Sequence, residues 1–292
     1  MRYAAIDIGS NAVRLLIADV VNNTGRLSFK KNTLLRVPLR LGDDAFIHQF
    51  ISEEKSDELQ KTMFSFALLM DVYQVDDYMA CATSAMREAK NGPELVKKIK
   101  KTSNIDIQIV EGQTEANIIY SSHIERLLDP KKNYLYIDVG GGSTELSVFA
   151  SGNLMASKSF NIGTIRILDH KVKPETWVDA KNWLKSVTKN LTDIGAIGTG
   201  GNINKLYRLA KVKDGDPLST KKLNDLYKYL SAFTYEQRIN ELGLRPDRAD
   251  VILPACEIYS NIFKWTGIKK TYVPSVGMVD GIIQLLMEKN LK

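Results

Sequence analysis

Two stretches put a carboxylate at the end of an apolar run and follow it with residues that let the backbone approach an anion. In YIDVGGGSTEL, 136–146, Asp138 precedes Gly140, Gly141 and Gly142, and the chain turns polar at Ser143, Thr144 and Glu145. In YAAIDIGSNAVRLLIADV, 3–20, Asp7 precedes Gly9, Ser10 and Asn11. Glycine allows successive amides to converge into a nest that suits phosphate. Gly140 to Thr144 could form one, and the Gly9-Ser10-Asn11 turn a second. Asp7 and Asp138, directly or through water, supply what Mg²⁺ prefers beside phosphate oxygens. Without a cation, two aspartates facing a polyphosphate would repel it. The plain alternative for a glycine triplet is a hairpin turn or bulge, although three glycines exceed what a hairpin needs.

Three further stretches carry candidate groups. ATSAMREAKNG, 82–92, places Arg87 just beyond a strand end, where a guanidinium clamps phosphate bidentately or makes a surface ion pair. EGQTEAN, 111–117, puts Glu115 in the first turn of a helix, as a dipole partner or as a general base for water. GTGGNINKL, 198–206, ends a strand in Gly198, Thr199, Gly200 and Gly201 and starts a helix. This is a candidate nucleotide or phosphate contact, or a tight strand–helix connection.

Other chemistries are excluded by pattern. GxxxxGK[ST] is missing, and Ile203 stands where a GxGxxG fingerprint needs its third glycine. His48, His123 and His170 form no metal pattern, HExxH is missing, and no GxSxG elbow is present. Cys81 and Cys256 lie in apolar surroundings with no CxxC, as buried thiols of a reducing compartment do. No covalent nucleophile stands out, which leaves attack by water.

The elements that must position these groups follow from periodicity. Residues 3–9 and 12–20 alternate as strands around a tight turn, and 26–39 continues the pattern. Residues 53–73 carry Leu59, Met63, Phe66, Ala67 and Met70 at helical spacing. A strand over 77–85 runs into a polar turn, Pro93 opens a helix, and 105–110 is a short strand. A helix from Gly112 aligns Ala116, Ile119, Tyr120, His123, Ile124 and Leu127. The stretch 128–133 is a turn and a boundary, after which strand–turn–strand restarts at Tyr134. A strand near 151–160, a helix over 174–191, a strand into Gly198, helices over most of 202–265, a strand near 271–273 and a helix from about 276 complete the chain. Matching Ile6-Asp7-Ile8-Gly9 to Ile137-Asp138-Val139-Gly140 also aligns Leu15 with Leu146, which raises the question of internal duplication. The expected division is 1–127 and 128–292, with the last helix, about 276–292, packing back on the first part.

Composition sets the frame. The chain has 292 residues, 44% hydrophobic and 25% charged, which fits two globular domains and not disorder. No apolar run suggests a leader or a membrane span, so a cytoplasmic location and no membrane association are expected. The net charge of +6 includes Lys30-Lys31, Lys97-Lys98, Lys100-Lys101, Lys131-Lys132 and Lys269-Lys270. Such pairs are a solvated surface or a field for an anionic partner. Aromatic residues do not interleave with them, so no stable nucleic-acid partner is expected.

Taken in order, IDIGSNAVRLLI, ATSAMREAKNG, EGQTEANIIY, YIDVGGGSTELSV, NIGTIRI, IGTGGNINKL, DRADVILPACEIY and VGMVDGI resemble the exopolyphosphatase / guanosine pentaphosphate phosphatase (Ppx/GppA) family of the actin-like, sugar-kinase and Hsp70 superfamily. The resemblance spans nearly the whole chain. It implies an α/β protein of two ribonuclease-H-like (actin-like ATPase) domains, mixed sheets flanked by helices, with the active cleft between them. It implies Mg²⁺-dependent hydrolysis of the terminal phosphate of inorganic polyphosphate, or of the 5′ γ-phosphate of guanosine pentaphosphate, a reaction of the stringent response, and a homodimer. By the resemblance, Glu115 falls on the catalytic glutamate, and Asp138 and Glu145 on the acidic residues near metal and water. Arg87, Ser10-Asn11 and Gly140–Ser143 fall on the phosphate contacts.

Two motifs depart from the family pattern. Thr114 replaces the first of two adjacent glutamates, and GMVDG puts Val279 and Asp280 where arginine and glutamate are common. The chain ends where longer members begin a helical region linked to gripping long polymers, so a preference for shorter chains is expected. The expected mechanism holds Mg²⁺ near Asp7, Asp138 and Glu145, fixes the terminal phosphoryl with turn amides and Arg87, and uses Glu115 to deprotonate a water for in-line attack. The alternatives are guanosine pentaphosphate hydrolysis by the same groups and a catalytically weak guanosine-nucleotide-binding regulator.

Overall fold

The computed structural model describes residues 1–23, 26–121, 129 and 131–290. Contacts divide the chain into two compact units, 1–123 with 277–292, and 124–276. The boundary expected between 127 and 128 lies in a stretch outside the described residues, as do His123, Ile124 and Leu127 of the expected helix face.

The first unit is built on a five-stranded sheet. Strands β1 (Arg2–Ile8), β2 (Val13–Asn23) and β3 (Arg26–Val37) form an antiparallel meander. β4 (Asp77–Ala82) and β5 (Ile107–Ile109) extend it in parallel, giving the order β3-β2-β1-β4-β5. Its central strands are buried on both faces: Ala4, Ala5 and Ile6 of β1 and Leu15, Leu16 and Ile17 of β2 are all inaccessible. Such strands read as continuous apolar runs because helices cover both sides.

The helices of this unit are α1 (Leu41–His48), α2 (Glu53–Val72), α3 (Ser84–Glu88), α4 (Gly92–Ser103), α5 (Gly112–Tyr120) and, from the far end of the chain, α13 (Met278–Asn290). α2 has the buried stripe that its periodicity predicts, Leu59, Met63, Phe66 and Met70, and Ser52 caps it by accepting from the Lys55 amide. The turn expected after β4 is the short helix α3 instead. α13 packs on β1, β2, β4 and α5.

The second unit repeats the plan. β6 (Asn133–Val139), β7 (Thr144–Ala150) and β8 (Asn153–Phe160) form a meander, and β9 (Ile194–Thr199) runs parallel to β6. β11 (Lys270–Tyr272) runs parallel to β9, and the two-residue β10 (Leu218–Ser219) closes the edge. The order is β10-β11-β9-β6-β7-β8. Apart from β10, each sheet has its first strand in the middle, its meander to one side and two parallel strands to the other. This is the ribonuclease-H-like arrangement, present twice. The helices are α6 (Thr164–Leu168), α7 (Pro174–Thr188), α8 (Gly200–Leu209), α9 (Thr220–Ser231), α10 (Tyr235–Asn240), α11 (Pro246–Ala249) and α12 (Ile252–Thr266). The core gathers Leu135, Ile137, Leu146 and Val148 from the sheet with Leu206, Ile258, Tyr259 and Phe263 from the helices.

Candidate active site

The two hairpins singled out by sequence match in register. In the first, Ile6 faces Leu15, Asp7 faces Arg14 and Ile8 faces Val13. In the second, Ile137 faces Leu146, Asp138 faces Glu145 and Val139 faces Thr144. Both turns close alike: the Gly9 amide donates to the Ala12 carbonyl at 3.2 Å, and the Gly140 amide to the Ser143 carbonyl at 2.9 Å.

The turns also seat alike on the next helix. The Arg40 and Gly42 amides, at the start of α1, donate to the carbonyls of Asn11 and Ser10 at 3.1 and 2.9 Å. In the second unit the Thr164 and Ile165 amides, at the start of α6, donate to the carbonyls of Gly140 and Gly141 at 3.1 and 2.9 Å. Arg166 Nε adds a bond to the Gly142 carbonyl at 2.6 Å. With the three glycine carbonyls tied back, the amides of Gly141 and Gly142 donate to no protein acceptor among the described residues. The Ser10 amide stands likewise. A turn with carbonyls held and amides presented suits an anion. Neighbouring hydroxyls are held: Ser10 Oγ lies 3.1 Å from Ser84 Oγ, and Thr144 Oγ1 donates to the Ile162 carbonyl. Ser143 is buried.

The carboxylates differ between the units. Asp7 is buried and its Oδ2 accepts from Arg14 Nη1 at 2.5 Å. At the matching place, Asp138 stands opposite a second carboxylate, the buried Glu145. Asp138 Oδ2 accepts from Thr199 Oγ1 at 2.9 Å, and Glu145 Oε1 from Ser159 Oγ at 2.8 Å. Like charges directly opposite on an antiparallel pair repel. Among the described residues no group of three or more His, Cys, Asp or Glu could hold a metal ion. Mg²⁺ commonly takes only one or two carboxylates and completes its shell with water and substrate oxygens. The Asp138–Glu145 pair fits that donor set. Asp7, already matched by a guanidinium, fits it less well.

The strand–helix junction after β9 adjoins the same aspartate. Gly200 has φ +85°, a left-handed conformation that disfavours a side chain, and a Cβ there would lie 2.7 Å from Asp138 Oδ1. Asn202 Nδ2 donates to the Val139 carbonyl at 2.8 Å and its Oδ1 accepts from Arg248 Nη1 at 3.0 Å. So Gly198–Gly201 and Gly140–Thr144 lie on one end of the second sheet, with Asp138 between them.

In the first unit, Glu115 is half-buried in the first turn of α5, as its spacing predicts. Thr114 is exposed beside it. Arg87 sends Nη1 to the Val110 carbonyl at 2.7 Å and holds Nε 3.8 Å from Glu111. Its guanidinium therefore anchors the segment entering α5. α5 is also gripped from the other side: a Cβ on Gly281 of α13 would run into the Ile118 carbonyl. The departures at Val279 and Asp280 adjoin that contact in sequence. Val279 is buried, and Asp280 pairs with Lys31 at 2.6 Å while accepting from the Gly277 amide at 2.9 Å. Burial pushes the Asp280 carboxyl up despite Lys31.

Sequence reasoning missed Arg14, Arg166 and Arg248. Arg14 was within reach, because the hairpin register puts it opposite Asp7. The other two approach through tertiary packing, and the only sequence signal for them is that they lie in NIGTIRI and DRADVILPACEIY, two of the stretches that carry the resemblance. Cys81 and Cys256 are free and buried, and burial pushes both thiols up to about 12.

Two ribonuclease-H-like sheets in tandem, each with a glycine turn at a strand-end aspartate, define a protein of the actin-like ATPase fold. The model of the Ppx/GppA phosphatase family matches residues 20–290, and the chain belongs to that family. It is 30% identical over 290 residues to the bifunctional 3-dehydroquinate synthase/phosphatase of Fusobacterium nucleatum, covering 90% of this chain and 43% of that one. It is 24% identical to the guanosine-5′-triphosphate,3′-diphosphate pyrophosphatase of Aliivibrio fischeri, covering 96% of this chain and 58% of that one. The chain thus spans less than two thirds of either relative. An exopolyphosphatase from Cytophaga hutchinsonii superposes with a TM-score of 0.84 at 25% identity, covering 99% and 98% of the two chains. Among the described residues no helix is long and apolar enough to cross a membrane.

Proposed function

We propose that the chain is a phosphoric anhydride hydrolase that removes the terminal phosphate of inorganic polyphosphate, with Mg²⁺ as cofactor. The observation that carries this reading is the second hairpin: two carboxylates face each other in register beside a turn whose carbonyls are tied back and whose glycine amides are presented. Phosphoryl transfer asks a protein chiefly for positioning and charge stabilisation, and this arrangement offers both.

Asp138 and Glu145 are the residues that would hold Mg²⁺, which when bound neutralises charge on the phosphate oxygens. The amides of Gly141, Gly142 and Ser10 donate to the phosphoryl oxygens. Thr199 and Ser159 keep the two carboxylates oriented. Glu115 accepts the proton of the attacking water, and Arg87 fixes the segment that carries Glu115.

The test is phosphate release by purified protein with Mg²⁺ from tripolyphosphate, long-chain polyphosphate and guanosine pentaphosphate. Release from polyphosphate should fall ~10²–10⁴-fold in Glu115→Gln while binding is kept, as for loss of a general base. Near-wild-type turnover in that variant would remove Glu115 from the role. The similarity to the Aliivibrio enzyme favours guanosine pentaphosphate as the second reading. A higher kcat/KM on that nucleotide would select it. Tight nucleotide binding without release from any substrate would mark a regulator.

A further inference from the structure

Helix α2 is apolar on two sides. Its inner stripe, Leu59, Met63, Phe66 and Met70, is buried in the first unit. Its outer side carries Phe64, Leu68 and Val72 at steps of four, and they are 51%, 53% and 76% exposed. A surface helix ordinarily turns polar and charged residues to water. Residues four apart are neighbours on a helix, so these three make one continuous strip and not scattered exposure. The described residues leave that strip open to solvent. An apolar strip of this kind marks a surface that takes a partner.

The charges around the strip indicate what the partner is. Asp57, Lys61, Phe64, Leu68 and Asp71 are all exposed and follow one another at steps of four and three, the spacing of a coiled-coil seam. Lys61 stands three residues before Phe64, and Asp71 three residues after Leu68. The seam is therefore symmetric about its midpoint in size and opposite in charge at its two ends. A second α2 laid antiparallel brings Phe64 of one copy onto Leu68 of the other, and Lys61 of one onto Asp71 of the other. A parallel second copy would set lysine against lysine and aspartate against aspartate. Within the chain, Lys61 pairs with Asp57 at 2.7 Å, but both are well exposed and such a pair holds little. No cation among the described residues pairs with Asp71.

We infer that the outer face of α2 is an interaction surface for a second copy of this chain, with the two helices antiparallel about a two-fold axis midway between Phe64 and Leu68, those side chains at the centre and a Lys61–Asp71 pair at each end. A two-fold interface uses one patch twice, so it demands the self-complementarity that this strip has. A partner of different sequence would require no such symmetry in α2. The helix has 20 residues and is about 30 Å long. One helix from each copy makes a small interface, so the dimer is weak and forms with rising concentration. The inference is independent of the proposed hydrolase reading.

The test is sedimentation equilibrium of the full chain over a concentration series. Wild type should pass from monomer to dimer. Leu68→Ser removes a central contact and should weaken association roughly tenfold, and because the position is exposed the variant should melt like wild type. Lys61→Glu sets a carboxylate against Asp71 of the other copy, and Asp71→Lys sets an ammonium against Lys61. Each should weaken association several-fold, most at low salt. The double variant Lys61→Glu/Asp71→Lys restores opposite charges at both ends and should recover the wild-type affinity. An equimolar mixture of the two single variants should likewise associate more tightly than either alone. Wild type that stays monomeric up to ~1 mM, the weak end of specific association, would overturn the surface. A dimer unmoved by Leu68→Ser would overturn it too. Charge reversals without effect, or without recovery in the double variant, would exclude the antiparallel pairing and the proposal with it.

Discussion

At the scale of single residues, the informative contrast is between Asp7 and Asp138. Both lie at the end of the first strand of a meander, and both precede a small-residue turn. One faces Arg14 and the other Glu145. Glu145→Gln should therefore lower kcat/KM by ~10²–10³-fold if it helps to neutralise the transferring phosphoryl group, and raise the Mg²⁺ concentration needed for half-maximal rate. A variant with wild-type metal dependence would exclude Glu145 from the cation. Arg87→Lys keeps the charge and loses the fork that reaches Val110, so kcat should fall through misplacement of Glu115. The thiols make a simpler forecast: with Cys81 and Cys256 held near 12, a thiol reagent at neutral pH should label neither in the native protein. Labelling at the rate of a free thiol would contradict their burial.

At the scale of elements, the meanders, α2, α4, α5 and α13 are legible in sequence, from apolar periodicity in the meanders, α2 and α5 and from Pro93 in α4. α1 and α6 are not. Neither has a side-chain cap, and each begins where its amides bond the carbonyls of a turn. That signal exists only after the hairpin has folded. The same reason hid Arg166 and Arg248, whose partners are main-chain or amide groups distant in sequence. The candidate acids, by contrast, were readable from strand ends and from the first turn of a helix.

The joint between α13 and α5 makes two element-scale predictions. Gly281→Ala should displace α5 at Ile118, cost about 1–3 kcal/mol and depress kcat more than it changes KM. Asp280 has its pKa raised in the fold, so the native state holds a proton that the unfolded chain has already released. That contribution to stability is present at pH values below the ordinary carboxylate range and is lost as pH rises through the raised value. Denaturation of wild type across this window should show a declining stability that Asp280→Asn lacks. Parallel curves for the two would show that Asp280 titrates normally.

At the scale of the whole molecule, the short match of Ile6–Gly9 with Ile137–Gly140 extends to a strand topology present in both units. The proposed chemistry uses Glu115 for the water's proton and Asp138 at the cation. If both serve one transition state, Glu115→Gln and Asp138→Asn must not add: the double variant should lose little more rate than the worse single one. Losses that multiply would mean that the two carboxyl groups act independently.

The mismatch between the two hairpins reaches beyond turnover. In the first unit a fixed guanidinium accompanies the strand-end aspartate whatever the solution contains. The second unit opposes two acids at that place, so its cohesion should follow the divalent-ion content of the medium. Scanning calorimetry in chelator and then in excess magnesium should shift one melting component upward and leave the other in place, dividing by ionic sensitivity two halves that share a topology.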